Sequence, residues 1–504
     1  MRRRAVLNFS TSIIYQFLNL LVGLIVPKYY TELFGSVYNG LNQSVSQIMS
    51  LLSVLQFGIA AAAIQQMFKY IAERDEDTLR AIYWDAGKQY RKMGYIFIGV
   101  IIPVIIIFPL VIKDDLSYWT VVAFLLFRTI SSAMEYFFQA KYSVVLIANN
   151  KSYAIYIINI ILVVFSTILH LFVLFVIKDI IVYQAVAVVT TLVRLFIVSS
   201  YVRKYFPYLY KKSDKKIELQ KESKRKDVLI SEIAGLIISS TDMILLSTFS
   251  GLIFTSIYSI YSFVTNGLGN VLSSCREAVF AGLGKTYYSD FDSFKKQFGN
   301  FESVYFFLTF YLYSTAVLLF RPFIEVYTEN MDVNYVYKSL PILFILSVLL
   351  VNLRIPAIVT INTVGHFKEV RNYAVIEAII NFALSLLLVK SFEIFGVLIG
   401  TIVGAAYRTP LLIHHSNKYI VKRKAMDYWK KVLLWMPVFV GSCVLSIVAP
   451  IKCTSILNWI LTAIQVAITM LVVSALWIFL FERKTFKELM IMTNKILKKG
   501  RKKV

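Results

Sequence analysis

The chain has 504 residues, of which 58% are hydrophobic and 16% charged, against roughly 45–50% and 25% in an ordinary soluble domain. With a mean hydropathy of +0.68, so much apolar surface cannot be hidden in one core, and a soluble enzyme is excluded. The net charge of +24 would suggest nucleic acid in a soluble protein, so the placement of the basic residues decides its meaning.

Apolar runs long enough to cross hydrocarbon, roughly 20 residues each, recur about fourteen times along the sequence. They lie near 9–30, 41–65, 93–112, 118–141, 152–177, 180–201, 228–250, 253–275, 301–324, 339–364, 372–391, 395–416, 432–451 and 456–481. The opening Arg2-Arg3-Arg4 imitates a signal peptide, but the run behind it is long and lacks a small-residue cleavage site, so we read an uncleaved first helix. The expected fold is an all-α polytopic membrane protein. With the N-terminus inside, cytoplasmic segments hold 42 of the 53 Lys and Arg, outer segments hold 7, and four fall within spans. This positive-inside asymmetry puts both termini in the cytoplasm, accounts for most of the net charge and removes the case for nucleic acid.

No loop is long enough for a catalytic domain. The Lys-rich stretch at 202–227 reads as a cytoplasmic linker between an N-terminal six-helix lobe (1–201) and a C-terminal one (228–416). Residues 417–504 add two helices and a basic tail. Similar units open each half: LFGSVYNG (Leu33 to Gly40) before a polar second span, and TFSGLIFTSIYS (Thr248 to Ser259) before a polar eighth. They suggest a parallel repeat.

Polar residues at membrane depth are costly unless they face water or a bundle interior. Helical spacing groups Asn8, Ser12, Tyr15 and Asn19 in the first span, and Gln43, Ser46, Ser50 and Ser53 in the second. Glu232, Gly235, Ser239 and Asp242 share a stripe in the seventh, and Tyr258, Ser262 and Thr265, flanked by Tyr261 and Asn266, in the eighth. The four stripes together favour one wet cavity, with helix-to-helix bonding as the alternative for any single Ser or Thr. Four arginines lie within spans: Arg128, Arg194, Arg354 and Arg408. Arg128, Arg354 and Arg408 are deep enough to require pairing or hydration, whereas Arg194 lies nearer the cytoplasm and has snorkelling as an equal alternative. Glu135, Glu232, Asp242 and Glu377 either pair with these arginines or bind a coupling cation, while Glu302 is expected at an interface. Gly396, Gly400 and Gly404 lead to Arg408 at steps of four, a small-residue face for close packing. Pro27 and Pro356 are bends or end signals.

Three cysteines (Cys275, Cys443, Cys453) and four dispersed histidines (His170, His366, His414, His415) make neither a disulfide framework nor a metal set. GLGKT at Gly282–Thr286 mimics the end of a phosphate-binding loop, but Val279 stands where the first glycine is required and no strand precedes it.

The opening NFSTSIIYQFLNLLVGLIVPKYYTELFG, the second-span LLSVLQFGIAAA and the unit SSTDMILLSTFSGLIFTSIYSIYSF around Asp242 resemble the Wzx-type polysaccharide flippases of the multidrug/oligosaccharidyl-lipid/polysaccharide exporter superfamily, over essentially the whole length. The resemblance implies two six-helix lobes around a central cavity and alternating access in a bacterial cytoplasmic membrane. The implied cargo is an undecaprenyl-pyrophosphate-linked oligosaccharide moved to the outer leaflet for capsule, exopolysaccharide or O-antigen synthesis, with a polysaccharide polymerase and other assembly proteins as partners. No cofactor is expected beyond coupling to sodium, protons or the membrane potential. On this reading Arg128, Arg354, Arg408 and Arg194 receive phosphate oxygens, and Asn19, Gln43, Ser50, Tyr258 and Asn266 contact sugar hydroxyls. A multidrug antiporter of the same superfamily, a lipid II flippase and a membrane enzyme using the same lipid are the alternatives. Deep arginines disfavour cationic drugs, and the absence of a large outer loop disfavours the enzyme.

The charge asymmetry makes a testable map. A single cysteine at Ser213, in a chain cleared of its own three, is expected to resist impermeant thiol reagents in intact cells, whereas one at Asn330 is expected to react. The reverse pattern overturns the orientation.

Overall fold

The computed structural model describes residues 2–56, 58–211 and 225–483. Most of the expected linker, with Ser213, and the tail beyond Arg483 lie outside the described residues. The chain is an all-α polytopic membrane protein whose residues cluster into two compact units, Met1–Ile257 and Tyr258–Val504.

The first unit holds α1 (Arg2–Phe34), α2 (Ser36–Leu52), α3 (Ile59–Glu73), α4 (Glu76–Val111), α5 (Tyr118–Met134), α6 (Ala140–Ala148), α7 (Ser152–Phe172), α8 (Ile180–Tyr205), α9 (Arg225–Phe249) and the start of α10 (Leu252–Ser289). The second holds the remainder of α10, α11 (Phe291–Tyr327), α12 (Leu340–Leu353), α13 (Ile355–Val364), α14 (Phe367–His415), α15 (Ala425–Val448) and α16 (Ile456–Phe481). Asp75 and Asp179 start α4 and α8 by accepting from the free backbone N–H groups of the first turn.

Among the described residues eleven helices are long and apolar enough to cross a membrane. The longest run, Phe367–Val421, contains two of the expected spans, because Glu393 leaves helical geometry at φ 51 and ψ −124. The expected second span is broken as well. After α2 a 3-10 turn covers Ser53–Gln56, and Gly58 adopts φ 82 before α3, a left-handed conformation that glycine tolerates without steric cost. Pro27, by contrast, sits inside a continuous α1. Pro356 does interrupt its span, separating α12 from α13 at Arg354. The stretch Gly282–Thr286 lies within α10, so it forms no phosphate-binding loop.

The two limbs of α14 pack through the glycine face read from the sequence. A Cβ at Gly396 would come 2.6 Å from the backbone of Leu388, and one at Gly400 would come 2.4 Å from Ser385 Oγ and 2.9 Å from Asn381 O. One at Gly404 would touch Glu377 O at 3.2 Å. These absences of side chain bring Arg408, one turn beyond Gly404, beside the other limb.

Gly400→Ala is therefore expected to force the limbs apart and lower stability by about 1–3 kcal/mol. Gly235→Ala, with nothing within 4 Å of the new carbon, is expected to be neutral or to stabilise by up to about 1 kcal/mol. Thermal unfolding in detergent checks both, and equal melting temperatures would contradict the packing.

Candidate functional site: cationic centres at membrane depth

In the first unit, α5 carries Arg128 ten residues from its start at Tyr118, or about 15 Å along the helix. Its Nη2 donates to Asn42 Oδ1 on α2 at 3.1 Å, and the same oxygen accepts from Gln184 Nε2 on α8 at 3.4 Å. The rings of Tyr30 and Tyr183, which interact electrostatically with the guanidinium, lie 4.7 Å apart, and His170 packs tilted on Tyr183 at 4.4 Å. Arg128 Nε is buried without an acceptor. Among the described residues no carboxylate reaches Arg128, so a positive charge is held in place by neutral groups alone. Arg194 on α8 is half-buried; among the described residues it likewise meets no carboxylate, and no side chain fixes its guanidinium.

The second unit builds a different centre. Pro356 cannot donate a backbone hydrogen bond and its ring crowds the preceding turn, so the helix breaks just before it. Arg354 N turns to Asn352 O, and carbonyls released at the break find side-chain donors: Leu350 O accepts from Thr409 Oγ1 at 3.0 Å, and Leu353 O from the Tyr428 hydroxyl. Hydrocarbon offers no water for such groups, so these bonds make the break tolerable. From it Arg354 Nη1 reaches Glu377 Oε1 at 2.7 Å, and Arg408 Nη1 reaches Glu377 Oε2 at 2.8 Å. Glu377 is 2% exposed. Arg354 and Glu377 each stand ten residues from the helix ends at Val364 and Phe367, again about 15 Å. Two arginines on one carboxylate leave a net charge of +1, and the Nε of both lacks an acceptor.

Sequence reasoning treated the three deep arginines alike. The structure separates them: Arg354 and Arg408 share a counter-ion, whereas Arg128 has none among the described residues. Several members of the polar stripes bond within their own unit. Asn8 accepts from Tyr153 N at 2.7 Å, joining α1 to α7, and Ser46 and Ser53 hydroxyls return to carbonyls of their own helix. Gln43 and Ser50 are half-buried. Tyr258 packs on Phe344 with ring centroids 4.9 Å apart. Asn19, Glu232, Ser239 and Asn266 are exposed, with Asn19 Nδ2 donating to Tyr15 O at 2.9 Å and the Ser239 hydroxyl to Leu236 O at 3.1 Å on their own helices. Asp242, in the same stripe as Glu232, is instead buried at 2% exposure. Glu135 opens a π-helical segment, Glu135–Gln139, whose wider turn rotates the face predicted for a regular helix.

Sequence reasoning missed the partners: Asn42, Gln184, Tyr30 and Tyr183 around Arg128, and a second buried carboxylate. Glu302, expected at an interface, is fully buried and pairs with Arg423 and with Lys431, the latter at 2.8 Å. This fastens the start of α15 to α11. Among the described residues no group of His, Cys, Asp and Glu is arranged to hold a metal.

These features define an all-helical membrane protein with positive centres inside its helical units. No protein-family model and no curated protein matches the sequence. Among solved structures the chain is similar to an inward-facing multidrug resistance MATE family transporter of the MOP superfamily, with a TM-score of 0.61 and 10% identity over 82% of this chain and 98% of that one. It is similar to the lipid II flippase MurJ in an inward closed conformation, at 0.61 and 15% over 93% and 98%. A third likeness is to the MATE multidrug transporter DinF-BH, at 0.59 and 13% over 82% and 96%. At such identities the likeness establishes the fold, which is the one shared by these MOP-superfamily transporters.

The two centres differ in what removal should cost. Glu377→Leu leaves two buried guanidinium groups without their anion and is expected to destabilise by about 3–5 kcal/mol. Arg128→Met removes an uncompensated charge and is expected to leave the melting temperature unchanged or raised. Melting curves in detergent check the contrast, and a comparable drop for Arg128→Met would make that residue structural.

Proposed function

We propose that the protein is a flippase that carries an undecaprenyl-pyrophosphate-linked oligosaccharide from the cytoplasmic to the outer leaflet of a bacterial cytoplasmic membrane. The observation that carries this reading is Arg128. A guanidinium at this depth costs about 2.5–3.5 kcal/mol even on insertion scales, and no described carboxylate offsets it. A site that keeps such a charge, with an unused buried Nε, is complementary to an anion. A pyrophosphate supplies one, with oxygens suited to the planar fork of arginine. The net +1 of the Arg354–Glu377–Arg408 triad supports the same sign of cargo. Exposed Asn19, Ser239 and Asn266 provide partners for sugar hydroxyls, and the polyprenyl tail is able to remain in lipid while the head group crosses. A membrane potential negative inside favours outward passage of two phosphate charges by about 4.6 kcal/mol per 100 mV, at about 2.3 per charge.

The fold is shared with a lipid II flippase as well as with multidrug transporters, so the sign of the cargo separates the readings. A lumen with Arg128 uncompensated repels lipophilic cations where screening is weak. The polysaccharide repeat unit, the assembly partners and the inward-facing termini belong to this reading.

Deleting the gene is expected to reduce a surface polysaccharide and to accumulate its lipid-linked unit on the cytoplasmic leaflet, with little change in sensitivity to cationic dyes. Arg128→Ala is expected to reproduce that accumulation at normal protein levels, as measured by leaflet-selective labelling of the lipid-linked oligosaccharide. An unchanged leaflet distribution together with dye hypersensitivity sinks the flippase reading in favour of an antiporter.

A further inference from the structure

The first unit holds a second group of cations, at one end of its helices and apart from Arg128. Lys141, near the start of α6, carries its Nζ over three rings, at 5.1 Å from the centroid of Tyr83, 4.8 Å from Trp84 and 5.4 Å from Tyr142. Gly87 gives the lysine stem its path across α4, since a Cβ there would stand 3.3 Å from Lys141 Cδ. The ring faces orient the ammonium while leaving its N–H donors without an oxygen acceptor. Arg91, one turn beyond Gly87, adds a second positive charge within electrostatic range, and the Arg203 guanidinium at the end of α8 lies over the Tyr210 ring at 5.4 Å. Among the described residues no carboxylate pairs with Lys141, Arg91 or Arg203. Arg80 shows the contrast, being buried and bound to both Asp77 and Tyr208 O.

The same cluster gathers phenols. Tyr83 is 1% exposed, its ring centroid lies 6.4 Å from those of Tyr142 and Tyr210, and the hydroxyls of Tyr83 and Tyr210 are buried without a hydrogen-bond partner. An unpaired buried hydroxyl costs stability, so its retention beside unpaired cations marks a place for an acceptor. Tyr210 is held there by the 3-10 turn Pro207–Tyr210, which Trp84 Nε1 and Arg80 Nε fasten to α4 by donating to Leu209 O at 3.0 Å and Tyr208 O at 2.8 Å. We propose that Lys141, together with the Tyr83 and Tyr210 hydroxyls, binds the phosphoryl group of a lipid head group in the adjacent leaflet. Such a group offers several charged acceptor oxygens to donors on three elements, and Arg91 and Arg203 add to the surrounding field. Lys141 is half-buried, so the ammonium is the side from which the group enters. The charge asymmetry assigns this end of the unit to the cytoplasm, where anionic head groups meet basic pockets between helices. Lys141 follows Arg128 by thirteen residues on the span Tyr118–Ala148, or about 20 Å, so the two positive sites are separate. The phosphoryl group belongs either to the cargo before it reaches Arg128 or to a resident phospholipid, two sources that different lipids tell apart.

The test offers the full-length protein, in the phosphate-free detergent dodecyl maltoside, geranyl-pyrophosphoryl-glucose, dioctanoyl-phosphatidylglycerol or the neutral dioctanoylglycerol. Acylation of Lys141 by a succinimidyl ester, read by mass spectrometry in the wild type, is expected to slow about tenfold with a saturating phosphate-bearing lipid. The neutral lipid is expected to leave Lys141 unchanged, and no lipid is expected to alter the exposed Lys178 at the other end of the unit. Protection by the pyrophosphoryl probe alone assigns the site to the cargo, protection by phosphatidylglycerol alone to a resident phospholipid, and protection by both to either lipid. In an Arg128→Met background, Lys141→Met is expected to weaken binding of the protecting lipid about tenfold, and Tyr83→Phe, which keeps the ring, about threefold. Should a variant fail to fold, the wild-type protection decides. Acylation of Lys141 unchanged by both phosphate-bearing lipids or slowed equally by the neutral one, or affinity unchanged in Lys141→Met, overturns the inference and leaves the reading of the cargo at Arg128 standing.

Discussion

A charge about 15 Å into hydrocarbon has no water to hold it, and the placement of charge in this protein follows from that constraint. The backbone meets it by being helical, and where the helix must break, at Pro356, Thr409 and Tyr428 cover carbonyls around the gap. The arginines meet it in two ways. Arg354 and Arg408 divide one buried carboxylate, while Arg128 is steadied by the amide oxygen of Asn42. The first arrangement fixes two limbs of a helical hairpin and a neighbouring helix to one another. The second leaves a charge to spare.

Those two arrangements connect architecture to the placement of charge. The glycine face of α14 lets its limbs approach until Arg408 and Glu377 meet, so close packing and electrostatics act on the same contact. The Pro356 break sets Arg354 at the height of that contact. Around Arg128, Asn42 of α2 accepts from the guanidinium and Gln184 of α8 donates to the same amide oxygen, so neutral groups orient the charge without cancelling it. A stable structure and an unspent positive charge can coexist because the supporting groups are neutral amides.

Much of the fold was legible in the sequence because lipid imposes length and apolarity on each crossing. The spans at 372–391 and 395–416 were separable before the break at Glu393 was seen, and the glycines at 396, 400 and 404 announced the face they form. The second span was less legible: Gly58 in a left-handed conformation divides α2 from α3, although the residues on either side read as one apolar run. The site was legible by depth but not by pairing. Nothing in the spacing reveals that Glu377 bridges two arginines, because the bridge depends on how the α14 hairpin meets the α12–α13 junction. Spacing alone also leaves the bonding of a polar stripe open. Serine hydroxyls satisfy themselves on their own helix, as Ser46 and Ser53 do, so a stripe in the sequence need not be a surface. At Glu135 the π-helical turn shifts the face that regular spacing predicts.

On the proposed function, Arg128 keeps its charge for an anion carried across the membrane. The most direct measurement is a structure of the protein in nanodiscs with a short-chain polyprenyl-pyrophosphoryl sugar bound. A phosphate oxygen is expected within hydrogen-bond distance of the Arg128 guanidinium, engaging the buried Nε that otherwise lacks an acceptor. A bound head group remote from Arg128, with the Asn42 contact intact and Nε still unused, would contradict it.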